Sequence, residues 1–263
     1  MSSPASLAFV KASACGNDFL IVEGASFSGS HAEFTRKICD RHNGVGADGV
    51  EWLFPASGAD VEARLVNADG SEAEISGNGT RCVAAYLCSE QAKEKVVIRT
   101  GAGLKTCTLT AHNDANYEFE ISMGTPVVEP ERSVRLSSGE VRGTPVSMGN
   151  PHCVVFVEMF PFDWQHFAAE IQRNSGFRHG VNVEVVSVCS KSTIDARFFE
   201  RGVGETLSSG TGSCAAAVAA MATGRAESPV RVVAPGGTQI VRWEKEVFLR
   251  GAAQLICRGE FFI

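Results

Sequence analysis

What this 263-residue chain lacks narrows its class before any motif is read. It lacks positive charge: 24 Lys and Arg stand against 30 Asp and Glu, a net −6 at pH 7, so the basic surface of a general nucleic-acid binder is missing. It has no apolar run approaching the length of a membrane span. Its start, "MSSPASLAFVKAS", has neither the basic lead nor the long apolar stretch of a signal peptide. A cytoplasmic protein with no nucleic-acid and no membrane partner is expected. There are nine cysteines but no Cys-x-x-Cys. The odd number and scattered spacing predict reduced, mostly buried thiols and not a disulfide framework or a zinc site. His152 stands beside Cys153 with no second histidine at helical spacing, which leaves no metal site. Nucleotide motifs are missing too. No glycine loop ends in Gly-Lys-Ser/Thr, and "GVGADG" does not follow a strand and open a helix.

What is present is ample core and a repeat. The length suits one large domain or two of ordinary size, and 44% hydrophobic with 21% charged residues is a globular balance. "SGNG" (76–79) and "SGTG" (209–212) stand 133 positions apart. The same offset lays "ARLVN" (63–67) on "ARFFE" (196–200), Glu72 on Glu205, and "GNDFLIV" (16–22) on "GNPHCVV" (149–155), with no gap. Several matches in one register predict two homologous lobes, 1–120 and 121–263. Each reads as strands around a Gly-Asn turn, a helix ("HAEFTRKICDRHN", "FDWQHFAAEIQRNS"), a strand into a turn ("VEARLVNADG", "TIDARFFERG"), the Ser-Gly-x-Gly loop, an Ala-rich helix and a strand-rich meander. The Ala-rich helices, apolar nearly all round, suit burial at the centre. The expected class is α+β, two pseudo-symmetric lobes, each a β-sheet rolled around a central helix.

The Ser-Gly-x-Gly loops carry the chemistry. A helix N-terminus has free N–H groups and the positive end of the macrodipole, and glycine lets a carboxylate or phosphate approach the backbone. One such loop is accounted for by ordinary capping, because Ser is a favoured N-cap. Two in register, each after a polar stretch ("NADGSEAE", "ERGVGETL"), favour a shared active site in the cleft between the lobes. Facing acid/base groups there would take a proton from one face of a carbon and return one to the other.

"GNDF" (16–19), "CDRHNGVGADGV" (39–50), "NADGSEAEISGNGTRC" (67–82), "GNPHCVVFV" (149–157), "VNVEVV" (181–186) and "ERGVGETLSSGTGSCA" (200–215) together make the chain resemble the diaminopimelate epimerases over almost its full length. The resemblance implies the epimerase-type pair of α+β lobes and a pyridoxal-independent, metal-free isomerase without cofactor. It implies a racemase-like reaction interconverting LL- and meso-diaminopimelate, in lysine and peptidoglycan biosynthesis, and often a homodimer. It implies substrate contacts at Asn17, Asn67, Asn150, Asn182, Glu200 and Arg201, with Gly77–Asn78 and Gly210–Thr211 holding the carboxylate at the reacting carbon. A guanidinium at Arg201 suits the far carboxylate, and Glu200 an ammonium.

The family pattern has a cysteine before each glycine loop, the base and the acid; here those seats hold Ser76 and Ser209. Cys82 and Cys214 lie more than a turn further on and read as buried helix residues. A thiol is readily tuned toward neutral pH at a helix N-terminus, whereas a serine hydroxyl needs an adjacent base, for which His152 and Glu200 are the candidates. The expectation is a scaffold that binds substrate and turns it over slowly or not at all. Three readings stay open: an epimerase whose two catalytic cysteines were exchanged for serine, a divergent relative akin to hydroxyproline dehydratases, and a non-catalytic amino-acid binding module. The retained Asn67, Asn182 and Arg201 favour the first.

Overall fold

The computed structural model describes residues 6–178 and 180–263; residues 1–5 of the expected first lobe lie outside them. The described residues form two compact units, one of residues 6–121 with 251–263, the other within 122–250. No helix among the described residues is long and apolar enough to cross a membrane.

The first unit runs β1 (Ser6–Ala14), β2 (Asn17–Glu23), α1 (His31–Cys39), β3 (Gly49–Phe54), β4 (Val61–Asn67), β5 (Glu72–Ala73), α2 (Gly77–Gln91), β6 (Lys95–Thr100), β7 (Gly103–Asn113) and most of β8 (Asn116–Gly124). The second runs β9 (Val127–Val128), β10 (Arg132–Leu136), β11 (Gly139–Ser147), β12 (Pro151–Phe156), α3 (Trp164–Gln172), β13 (Asn182–Ser190), β14 (Thr193–Glu200), β15 (Gly204–Thr206), α4 (Gly210–Ala222), β16 (Val230–Ala234), β17 (Gly237–Trp243) and the start of β18 (Val247–Phe262). The 133-residue offset holds through the elements: α1 at 31–39 maps onto α3 at 164–172, the starts of β3 and α2 map onto 182 and 210, where β13 and α4 begin, and that of β2 onto 150, one residue before β12. Pairing senses repeat as well. β2–β3 and β12–β13 are parallel, β3–β4 and β13–β14 antiparallel, and β4–β6 and β14–β16 parallel.

In the first unit the pairings β18–β1–β2–β3–β4–β6–β7–β8–β18 return on themselves and close an eight-stranded barrel. One boundary differs from the sequence expectation. Residues 251–263 belong to the first unit and not to the second lobe, because β18 is sixteen residues long and its far half pairs with β1, from Ser13↔Gln254 to Ser6↔Phe262.

Strand alternation then sorts side chains to two helices per unit. Val50 and Trp52 of β3 face α1, packing with Phe34 and Ile38. Val183 and Val185 of β13 face α3, packing with Trp164, Ala168 and Ile171. Both outer helices are short and amphipathic, begun by side-chain caps at Ser30 and Asp163. α1 ends where the Asp40 carboxylate accepts from the amides of His42 and Asn43 at 2.8 and 2.6 Å, turning the chain. The opposite strand faces look at α2 and α4. Every residue of α4 from Gly212 to Ala220 is buried, against Val154, Val186, Ile194, Phe198 and Val232. Alanine and cysteine on all sides let this helix fit a core with sheet wrapped about it.

Candidate active site

The sequence predicts loops that stop before the Ala-rich helices, but the glycines lie inside the helices' first turns. α2 starts at Gly77 and α4 at Gly210. Ser76 and Ser209 are the N-caps in extended backbone, and each hydroxyl accepts the amide hydrogen of the glycine three residues on: Gly79 N at 3.1 Å and Gly212 N at 3.2 Å. The capping role expected for an ordinary helix is therefore real. It coexists with the dipole's positive end at both serines, and a hydroxyl spent as acceptor still has its own hydrogen to give.

In the first unit a chain of amides runs beside Ser76. Asn17 donates to Asp48 Oδ2 (3.1 Å) and accepts from Asn78 Nδ2 (2.7 Å), while Asn78 Oδ1 accepts from Arg81 Nη2. Arg41 fixes the start of that chain, bridging Asp18 and Asp48 at 2.8 Å each. Arg81 is fully buried. Asn67 stands apart, closing the 67–71 turn through Ser71 Oγ at 3.0 Å.

In the second unit Asn150 donates to Thr211 Oγ1 at 3.5 Å and its Oδ1 meets His152 Nε2 at 2.9 Å. His152 Nδ1 lies 2.7 Å from Glu184 Oε1. Both ring nitrogens are thus occupied, and His152 is buried, so it is not the direct base for Ser209 that the sequence suggests. Glu200, the other candidate, has Oε1 held by Thr206 Oγ1 at 2.7 Å. Asn182 bridges the Pro151 carbonyl (3.1 Å) and the Arg201 amide (2.9 Å). Cys82 and Cys214 are fully buried in their helices, and burial pushes the Cys82 thiol far up.

Two carboxyls escaped the sequence reading. Glu51, in the apolar run "GVEWLF", and Glu184, in "VNVEVV", are again 133 positions apart, each almost fully buried. Burial pushes Glu51 up to about 8. Burial also raises Glu184, opposed by the charge and hydrogen bond of His152. A lone acidic residue in a buried strand was the available signal, since an ionised carboxylate is costly there.

A family model described as diaminopimelate epimerase matches residues 9–129 and 144–256. A diaminopimelate epimerase of Desulforudis audaxviator is 37% identical over 274 residues, covering 96% of this chain and 98% of that protein. One from Desulfitobacterium hafniense is 35% identical over 274 residues, covering 95% and 96%. Among solved structures, a PhzF-family phenazine biosynthesis protein of Bacillus anthracis superposes with a TM-score of 0.72 at 16% identity, covering 98% of this chain and 100% of that one. A hydroxyproline epimerase of Agrobacterium vitis with bound trans-4-hydroxy-L-proline gives 0.69 at 17%, covering 97% and 91%. At such identities the two structures establish a shared fold.

Proposed function

Since the chain belongs to the diaminopimelate epimerase family of isomerases, we propose that it interconverts LL- and meso-diaminopimelate by two-base proton transfer, with Ser76 and Ser209 in the acid/base seats. The observation that carries this reading is the paired helix start. Two serines at one offset cap two buried helices whose first turns are Gly-x-Gly. Backbone amides of Gly77–Asn78 and Gly210–Thr211 would hold the carboxylate at the reacting carbon, and its negative charge would be stabilised as the α-proton leaves. Asn17, Asn78, Asn150 and Asn182 are already oriented by the hydrogen bonds described. With Asn67, Glu200 and Arg201 they would grip the rest of the amino acid.

The serine hydroxyl is a weak acid and a weaker base than a thiolate, so turnover is slow relative to a thiol form. Proton NMR of LL-diaminopimelate in D₂O tests this. The chain should exchange the α-proton slowly, and the Ser76→Cys/Ser209→Cys form should yield the meso isomer about 10²-fold faster. Failure of both forms on diaminopimelate would overturn the reading, and exchange only with trans-4-hydroxy-L-proline would replace the substrate.

A further inference from the structure

Gly79 and Gly212 show what lies behind each serine. A Cβ on Gly79 would sit 2.1 Å from Glu51 Oε1 and 3.3 Å from Ser76 Cβ. The carboxyl oxygen and the serine carbon are therefore no further apart than those two lengths laid end to end. A Cβ on Gly212 would sit 3.0 Å from Glu184 Oε1 and 2.9 Å from Ser209 Cβ. In both units glycine leaves space that a carboxyl group fills, at the helix start and on the side of the glycine that also meets the Cβ of the serine in the acid/base seat. The coincidence is double, at one offset in two units. It is also chemically unusual, because buried carboxyls in a strand are otherwise replaced by apolar residues.

Resting on the reading above, we propose that Glu51 and Glu184 are positioning residues that act through the serines: each buried carboxyl exchanges a proton with the hydroxyl in front of it, so that serine can take a proton from, or give one to, the substrate carbon. On the base side the α-hydrogen passes as a proton to the serine oxygen while that serine's own hydroxyl proton passes to the carboxylate. The electron pair stays on the α-carbon, spread into the substrate carboxylate. On the acid side a carboxylic acid protonates its serine as that serine's proton goes to carbon. One carboxylate has become an acid and one acid a carboxylate, and the reverse reaction uses them in the exchanged states.

The two partners start unequal, as such a cycle requires. Glu51 is flanked on the sheet by Ile21 and Leu65, and the titratable group facing it from α2 is Cys82; with burial alone acting on it, it is suited to begin as the acid. Glu184 is flanked by Val154 and Phe198 and faces His152, Glu200 and Cys153. Its Oε1 shares a hydrogen with His152, and Oε2 has no hydrogen-bond partner among the described residues. His152 holds the carboxyl through Oε1 and leaves Oε2 without a donor among the described residues, which suits the base.

The experiment follows α-proton exchange of LL-diaminopimelate in D₂O between pH 6 and 10, for the chain itself, Glu51→Gln and Glu184→Gln, and for the same two changes in the Ser76→Cys/Ser209→Cys form. In the serine chain each Gln should cost about 10²-fold and flatten the pH profile. In the thiol form, which needs no second group, the loss should be slight. A thiol form that epimerises, beside a serine chain that shows no exchange or that is indifferent to both Gln changes, overturns the relay and leaves the family reading intact. A thiol form inactive on diaminopimelate overturns the proposed activity instead. The relay is then decided by ¹³C NMR titration of the two carboxyls: midpoints that move on Ser76→Ala and Ser209→Ala support it, and unmoved midpoints reject it. Amide spectra of every variant confirm folding.

Discussion

Ser76 and Ser209 each use one oxygen for two purposes, as a helix cap and as the proposed proton carrier, and the variants separate them. Ser209→Ala should lose about 1 kcal/mol of stability through the cap alone, read by urea unfolding, and all proton exchange through the lost hydroxyl. Behind Ser76, Glu51 makes stability depend on pH. Its carboxyl is raised from 4.5 to about 8 in the folded chain, so the folded state binds the proton more tightly than the unfolded one. The contribution is complete below pH 4.5 and is lost as pH rises toward 8, at about 1.4 kcal/mol per unit. Urea midpoints should fall across that window, and Glu51→Gln should remove most of the fall. Gly79→Ala should displace the same carboxyl and flatten the pH dependence too. At this scale the sequence was only half legible. The serine seats and the asparagines stand out in motifs, whereas Glu51 and Glu184 sit in short apolar runs, and their meaning depends on a glycine more than 25 residues away in each case. His152 stands out in the sequence, but its contact with Glu184 comes from strand pairing: it sits on β12, beside β13 in parallel register.

Among the elements, α4 is the most constrained. Ala215, Ala216, Ala217, Ala219 and Ala220 have no exposed surface, so the core is matched to methyl-sized side chains. Ala217→Leu should destabilise by about 1–3 kcal/mol through overpacking, visible as a lower urea midpoint with an unchanged slope. The central placement of this helix was readable from its all-round apolarity, and the outer helices from their spacing. The exact helix starts were not. Glycine counts as a loop residue by propensity, yet here serine capping starts the helices at Gly77 and Gly210, and Gly79 and Gly212 lie in the first turns with no room for a Cβ. The helix α1 also stops sooner than its spacing suggests, because Asp40 takes up the amides that would have continued it.

For the molecule as a whole, the repeat at 133 residues made two units visible, but local pattern could not say where the last strand belongs. Alternation in "EVFLRGAAQLICRGEFF" is that of any strand, and its partner β1 lies at the opposite end of the chain. A chain ending at residue 250 should therefore lose the first unit's share of the cooperative thermal transition by circular dichroism, since β1 and β8 would both lose their pairing with β18. The same strand sets a schedule for synthesis. The stave that closes the first barrel is made after every strand it pairs with, and at elongation rates of about 5–20 residues per second β8 waits on the order of ten seconds for it. Throughout that interval the nascent first unit has an open seam between β1 and β8, so its barrel cannot close before the second unit has been made.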